Sequence, residues 1–133
     1  MKVVSLQTAK RSEFLDITQK IVQMIPENVT GVCVIFVPHT TAGITINEGA
    51  DPAVQEDVLN YLDRSVPWDQ PYFKHIEGNS AAHIKASIIG SSVTIIVKDG
   101  KLQMGTWQKI FFTEFDGPRR RKIWVTLNHL WKV

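Results

Sequence analysis

Apolar and polar positions alternate at two different periods along this chain, and the changes of period mark its elements. Val3, Val4 and Leu6 make the stretch Lys2 to Thr8 read as a β-strand. After the polar segment TAKRSE, a second short run from Phe14 to Ile17 is expected to fold back beside it as a hairpin. From Thr18 to Ile25 the apolar residues Ile21, Val22 and Ile25 recur at i, i+1 and i+4 before Pro26, which predicts one short amphipathic helix. Gly31 to Val37 is almost continuously apolar and β-branched, the pattern of a central strand buried on both faces, and Pro38 ends it. Gly43 to Asn47 alternates Ile44 and Ile46 with Thr45 and Asn47, so the intervening HTTA is read as a turn between strands.

Asp51 is a good N-cap and Pro52 suits the first helical position. Val54, Val58, Leu59 and Leu62 then follow at helical spacing to about Ser65. The two prolines of VPWDQPYF make a loop. Asn79 is placed to cap a third helix whose Ala82, Ile84, Ala86, Ile88 and Ile89 run to Gly90. The remainder reads as strands: Ser92 to Val97, a KDGK turn, Lys101 onward through Trp107, Ile110 to Glu114, and Arg121 to Leu127. Helices among early strands, followed by a late antiparallel run, favour an α+β fold over a doubly wound sheet. No repeat or linker divides residues 1–133, so one domain is expected.

Composition narrows the classes of function. The chain is 44% hydrophobic and 21% charged, near ordinary globular usage, which suggests neither disorder nor a fibrous repeat. Its 15 basic residues against 13 acidic ones leave too little net charge to argue for nucleic-acid binding. The single cysteine, Cys33, lies in the apolar run GVCVIFV and is expected to be a buried, inert thiol. Lys10, Arg11 and Glu13 come too early for a signal-peptide apolar region, and no run approaches 18 apolar residues; a cytoplasmic protein with no membrane partner is the expectation.

The candidate chemistry sits at predicted element ends. His39 follows a strand in PHTTAG, His75 lies in the loop YFKHIEGN, and His83 is one turn into the third helix. Neutral imidazoles suit a divalent metal such as zinc, with an open position for substrate, but the spacing by itself favours hydrogen-bonded structural histidines. His129 has no acidic companion and reads as a surface residue. In INEGAD, Asn47, Glu48 and Asp51 lie between a strand and a helix, where polar side chains tend to face a cleft; capping alone explains Asp51. Glu77 is a candidate general base or partner of an imidazole, and Gly78 gives backbone freedom before the helix start, whose free N–H groups suit a phosphate. TEFDGPRRRK sets Glu114, Asp116 and three arginines around a turn, with Arg119 and Arg121 on one side and Arg120 on the other. A phosphorylated substrate is the expected partner of that pair. Gly105, Thr106, Trp107 and Gln108 suggest either a close backbone approach or a core tryptophan.

Taken together, HTTAGITINEGADPAVQEDV, YFKHIEGNSAAHIKASIIGSSV and GKLQMGTWQKIFFTEFDGPRRRKI resemble the YjbQ-like family, also called the secondary thiamine-phosphate synthase family, in the same order from about Phe36 to Val125. The resemblance implies a small α+β fold with about three helices and mostly antiparallel sheets in a sandwich-like arrangement, assembled as a homotrimer with sites near subunit contacts. It further implies that His39, His75 and His83 share a pocket and hold a divalent metal, zinc or magnesium. Thr40, Asn47, Glu48, Asp51, Glu77, Asn79, Gly105, Thr106, Trp107, Gln108, Glu114, Asp116 and Arg119 are then expected around it. The implied activity joins a pyrimidine diphosphate to a thiazole phosphate with loss of pyrophosphate. The alternatives are a zinc-dependent hydrolase of a small phosphorylated molecule and a non-catalytic trimer that binds a metal or anion.

Overall fold

The fold is that of a computed structural model, which describes residues 1–129 of the chain. Among these residues, eight strands and three helices follow in the order β1 (Lys2–Gln7), β2 (Glu13–Asp16), α1 (Thr18–Val22), β3 (Gly31–Phe36), β4 (Ala42–Glu48), α2 (Pro52–Ser65), α3 (Ser80–Ile89), β5 (Ser92–Lys98), β6 (Lys101–Leu102), β7 (Gln108–Glu114) and β8 (Arg120–His129). They form a five-stranded sheet, β1-β8-β3-β5-β6, and a three-stranded sheet, β2-β7-β4. Every pairing is antiparallel. The expected α+β architecture with three helices and antiparallel sheets is therefore the observed one.

The main apolar core joins the two sheets: Cys33, Ile35, Ile95, Val97, Ile123 and Val125 come from the larger one, Ile44, Ile110 and Phe112 from the smaller, Ile17 from just before α1 and Ile21 from within it. A second, smaller cluster of Leu62, Ala82, Ala86 and Phe115 seats α2 and α3 beside the three-stranded sheet. Asp51 caps α2 as expected, its carboxylate accepting the Ala53 amide at 2.9 Å.

Four local expectations are corrected. β1 and β2 do not pair with each other; β1 joins β8 and β2 joins β7, because each adds as an edge strand to a longer partner in a different sheet. The strand buried on both faces is β7, not β3: β7 is buried from Ile110 to Glu114, between the core and the neighbouring elements, whereas β3 alternates buried with half-buried residues. α1 ends at Val22 rather than Ile25. The strand expected from Lys101 to Trp107 stops at Leu102, because Met104 to Trp107 turn to enter β7.

Candidate functional site

β3 and β4 are consecutive in the chain but belong to different sheets, so the connection Val37–Thr41 crosses from one sheet to the other. His39 and Thr40 lie on that crossing. His39 is held there by the Lys122 amide of β8, which donates to its Nε2 at 3.0 Å. That bond uses a lone pair that only the neutral ring possesses, and it leaves the ring proton on Nδ1. Burial, and next the positive charge of Arg121, lower the pKa of His39 below its ordinary value, opposed by the Glu114 charge. His39 is thus a neutral donor at pH 7.

The 66–79 loop and α3 supply the opposite wall. His75 and His83 meet edge to face, with ring centroids 5.2 Å apart. The turn between them is tightened by the Gly78 amide, which donates to the His75 carbonyl at 3.2 Å, and Gly78 adopts φ 73°, a conformation that favours glycine. Asn79 is the residue before α3, yet it makes no capping bond with its side chain. Its Nδ2 instead donates to Asp116 Oδ2 at 2.8 Å, which fixes the amide's orientation. Asn79 Oδ1 is left buried with no hydrogen-bond partner among the described residues. An unpaired buried acceptor costs about 1–3 kcal/mol, and a ligand with an N–H or O–H group would recover it.

Asp116 also holds Arg119, whose Nη2 donates to Asp116 Oδ2 at 3.0 Å and whose Nε donates to the Asp116 carbonyl at 2.8 Å. The guanidinium stays half exposed, with Nη1 uncommitted among the described residues. Beneath it lies an ion pair whose two members the sequence suggests as part of the binding surface. Glu114 is fully buried; it accepts Arg121 Nε at 2.8 Å and a second bond from Arg121 Nη2. Thr8 Oγ1 donates to the same carboxylate at 2.9 Å, and the Phe115 and Asp116 amides at 3.1 Å each. Burial by itself would raise the Glu114 pKa, but the bonds from Arg121, the Asp116 amide and Thr8 outweigh it and hold the carboxyl below its usual range. Arg121 also donates to Thr41 Oγ1 at 2.8 Å, so β7, β8 and the β3–β4 crossing are clasped at one point.

Above this clasp opens a cleft of about 650 Å³ lined by His39, Thr40, His75, Glu77, Asn79, His83, Arg119 and Arg121 among others. Residues from four separate stretches of sequence meet in it. Asp116 braces two of the lining residues, and Glu114 braces a third from below. Arg120, by contrast, is exposed and does not line the cleft.

The remaining candidates lie elsewhere in the chain. β4 carries the cleft at its Ala42 end and Asn47 and Glu48 at the other, about 20 Å away for a seven-residue strand. There Glu48 pairs with Gln108 across the sheet, the Gly49 amide donates to the Trp107 carbonyl at 2.9 Å, and Gly105 N donates to Gln108 Oε1 at 2.8 Å. Asn47, Asp51, Gly105, Thr106, Trp107 and Gln108 are exposed, Trp107 at 63%, so Trp107 is not a core residue. Asp51 acts as the α2 cap.

The donor set does not make a three-histidine metal centre as it stands. Among the described residues no three His, Cys, Asp or Glu side chains converge on one point, and the Nε2 of His39 is already engaged. Among the described residues, His75 and His83 are the imidazoles whose rings adjoin.

The chain is thus a two-sheet α+β domain with a polar cleft of imidazoles and arginine at the sheet junction. Its family is specific: residues 2–129 match the UPF0047 protein YjbQ-like family, and the chain belongs to it. A UPF0047 protein of Methanocaldococcus jannaschii is 56% identical over 126 residues, covering 92% of this chain and 89% of that protein. UPF0047 protein YugU of Bacillus subtilis is 46% identical, covering 96% of this chain and 98% of its own length. The crystal structure of a YjbQ/UPF0047 family protein from Clostridium acetobutylicum superposes with a TM-score of 0.93 at 52% identity, covering 96% of this chain and all of the other.

Proposed function

We propose that this protein is an enzyme acting on a phosphorylated small molecule in the cleft between His39, His75, His83 and Arg119. The observation that carries the reading is the convergence of three imidazoles and a braced, half-free guanidinium on one cleft. Arg119 and the His39 Nδ1–H group would bind phosphate oxygens, and Asn79 Oδ1 would accept a hydrogen bond from the organic part of the substrate. His75, His83 and Glu77 are the groups able to move a proton.

The finer reading is condensation of a pyrimidine diphosphate with a thiazole phosphate. The thiazole nitrogen lone pair forms the new C–N bond to the pyrimidine methylene carbon, and the C–O bond breaks with its electron pair leaving on pyrophosphate. The cleft's cationic and imidazole donors would stabilise that departing charge. Incubation with both substrates, followed by assay of pyrophosphate and thiamine phosphate, tests it. Both products should appear only when both substrates are present, and Arg119→Ala should lower turnover at least tenfold. Phosphate or pyrophosphate released from one substrate alone identifies a hydrolase instead, and tight anion binding without turnover identifies a binding module.

A divalent ion is a second reading, favoured by the His75–His83 pair. Two protein ligands are enough where a metal enters with a diphosphate that completes its coordination.

The assembly we propose is a homotrimer. Its support is the outer face of the five-stranded sheet, where Val3, Phe36 and Ile96 are exposed and Phe36 stacks on Trp124 at 5.6 Å. A neighbouring copy would bring the distant Glu48, Trp107 and Gln108 group to the cleft. If so, mixing inactive His83→Ala with inactive Glu48→Gln chains restores part of the activity; two variants that stay inactive after subunit exchange contradict the shared site.

A further inference from the structure

We propose that the protein carries a second ligand site, on the side of α3 away from the histidine cleft, for a small organic anion with a flat apolar body. The site is a cavity of about 500 Å³ lined by Arg11, Ser12, Asp63, Pro67, Trp68 and Lys85. It uses the β1–β2 loop, α2 and its following loop, and α3.

Its floor is Lys85, a lysine only 3% exposed. A buried ammonium needs its charge paired and its donors satisfied. Lys85 has one partner, Asp63, whose side chain is 57% exposed, and two of its three N–H groups have no partner among the described residues. Facing it across the cavity, the Arg11 guanidinium lies 4.3 Å over the Trp68 ring. Arg11 is exposed, and neither its guanidinium nor the Ser12 hydroxyl has a hydrogen-bond partner among the described residues, so both are free to turn to a ligand. The cavity therefore holds two cations, one carboxylate and a set of unspent donors, a net positive pocket walled by Pro67 and Trp68. A phosphate or carboxylate headgroup meets the donors, and an attached ring meets the apolar wall.

The loop that carries Arg11 is set in place. The Gly117 amide donates to the Arg11 carbonyl at 3.0 Å, and a Cβ on Gly117 would lie 2.3 Å from the Lys10 carbonyl oxygen, so the two loops are in close contact. The site thus joins a lysine buried in the fold to an exposed arginine on a loop held in place, and it stands independently of the reading of the histidine cleft.

The test is titration of the full-length protein with phenyl phosphate and with benzoate, followed residue by residue by NMR, with benzyl alcohol as the uncharged control. The expected result is saturable shifts at the Trp68 indole N–H, Ser12 and Lys85 with one or both anions; the tighter anion identifies the headgroup. Arg11→Ala, an exposed position that leaves the fold unchanged, should weaken that binding about tenfold or more, whereas His83→Ala should not alter it. Shifts confined to the histidine cleft overturn the proposal. So does equal binding of benzyl alcohol, or Trp68 shifts that persist unchanged in both Arg11→Ala and Lys85→Met. Loss of self-association in Arg11→Ala without any anion-induced shift at Trp68 overturns it too, by showing that the pocket belongs to a contact between copies.

Discussion

Replacing Glu114 by glutamine keeps the side chain's shape and removes its charge, which isolates the value of the clasp beneath the cleft. The carboxylate is fully buried and accepts five hydrogen bonds, two of them from Arg121, itself only 4% exposed. A glutamine side chain cannot accept all of these with its one oxygen, and it leaves the guanidinium unpaired in the interior. Breaking a buried pair in this way costs about 3–5 kcal/mol. For a chain of this length the unfolding entropy is about 0.28 kcal/mol per kelvin, so the melting temperature should fall by about 10–18 °C. The assay is urea unfolding at pH 7, with the same series repeated between pH 7 and pH 3. Because the folded-state pKa of Glu114 is depressed, its contribution is complete above the unfolded-state value and is lost as pH falls through the folded one. The parent should therefore lose stability on acidification more steeply than Glu114→Gln. A further Arg121→Met substitution in the Glu114→Gln chain should recover part of the loss, since the unpaired charge is then gone. A single-substitution loss below about 1 kcal/mol, well under the range for a broken buried pair, or parallel acid curves, would refute the argument.

Three other outcomes follow from the same geometry. His39 should titrate below 6.5 with its proton on Nδ1 in the neutral form, as nitrogen-resolved NMR can show; its contribution to stability is present above the unfolded value and is lost as pH falls, and a pKa at or above 6.5 contradicts the assigned bond. Asp51→Ala should destabilise the protein by about 1 kcal/mol in urea while leaving ligand binding in the cleft unchanged, because its carboxylate caps α2 and does not line the cleft. Cys33, fully buried and with its thiol pushed up to about 11 by burial, should react with a thiol reagent only at the rate at which the native protein opens; fast labelling would mean that β3 is not part of the core.

Much of this was legible in the chain because local rules and tertiary packing agree. Asp51 and Pro52 announced α2, and the alternation of Ile44 and Ile46 announced β4. Strand pairing was not legible between β1 and β2, since two short runs separated by a polar segment look like a hairpin whether or not longer strands compete for their edges. β3 and β7 are both apolar runs, and only the elements stacked on each decide which is buried on two faces. At the site, family resemblance grouped residues that one chain keeps about 20 Å apart, along β4. Glu114 looked like a binding carboxylate because its neighbours are charged; that its partner would be Arg121, seven residues on and in the other sheet, is a fact of topology. Lys85 gave no signal at all, because a lysine beside an alanine on a helix reads as solvated until α2 covers it.

The two walls of the cleft have different owners. His39 is fastened to the five-stranded sheet through Lys122, while His83 rides on α3, which rests against β4 of the three-stranded sheet. The distance between them is consequently a gauge of how the sheets sit on one another. With sheets about 10 Å apart, a rotation of about 5° shifts one wall against the other by about 0.9 Å. A misplacement near 1 Å costs a catalytic site about a hundredfold in rate. Side-chain volume deep in the core, at Ile44, Phe112 or Ile123, thus sets the aperture of a cleft that none of those residues touches.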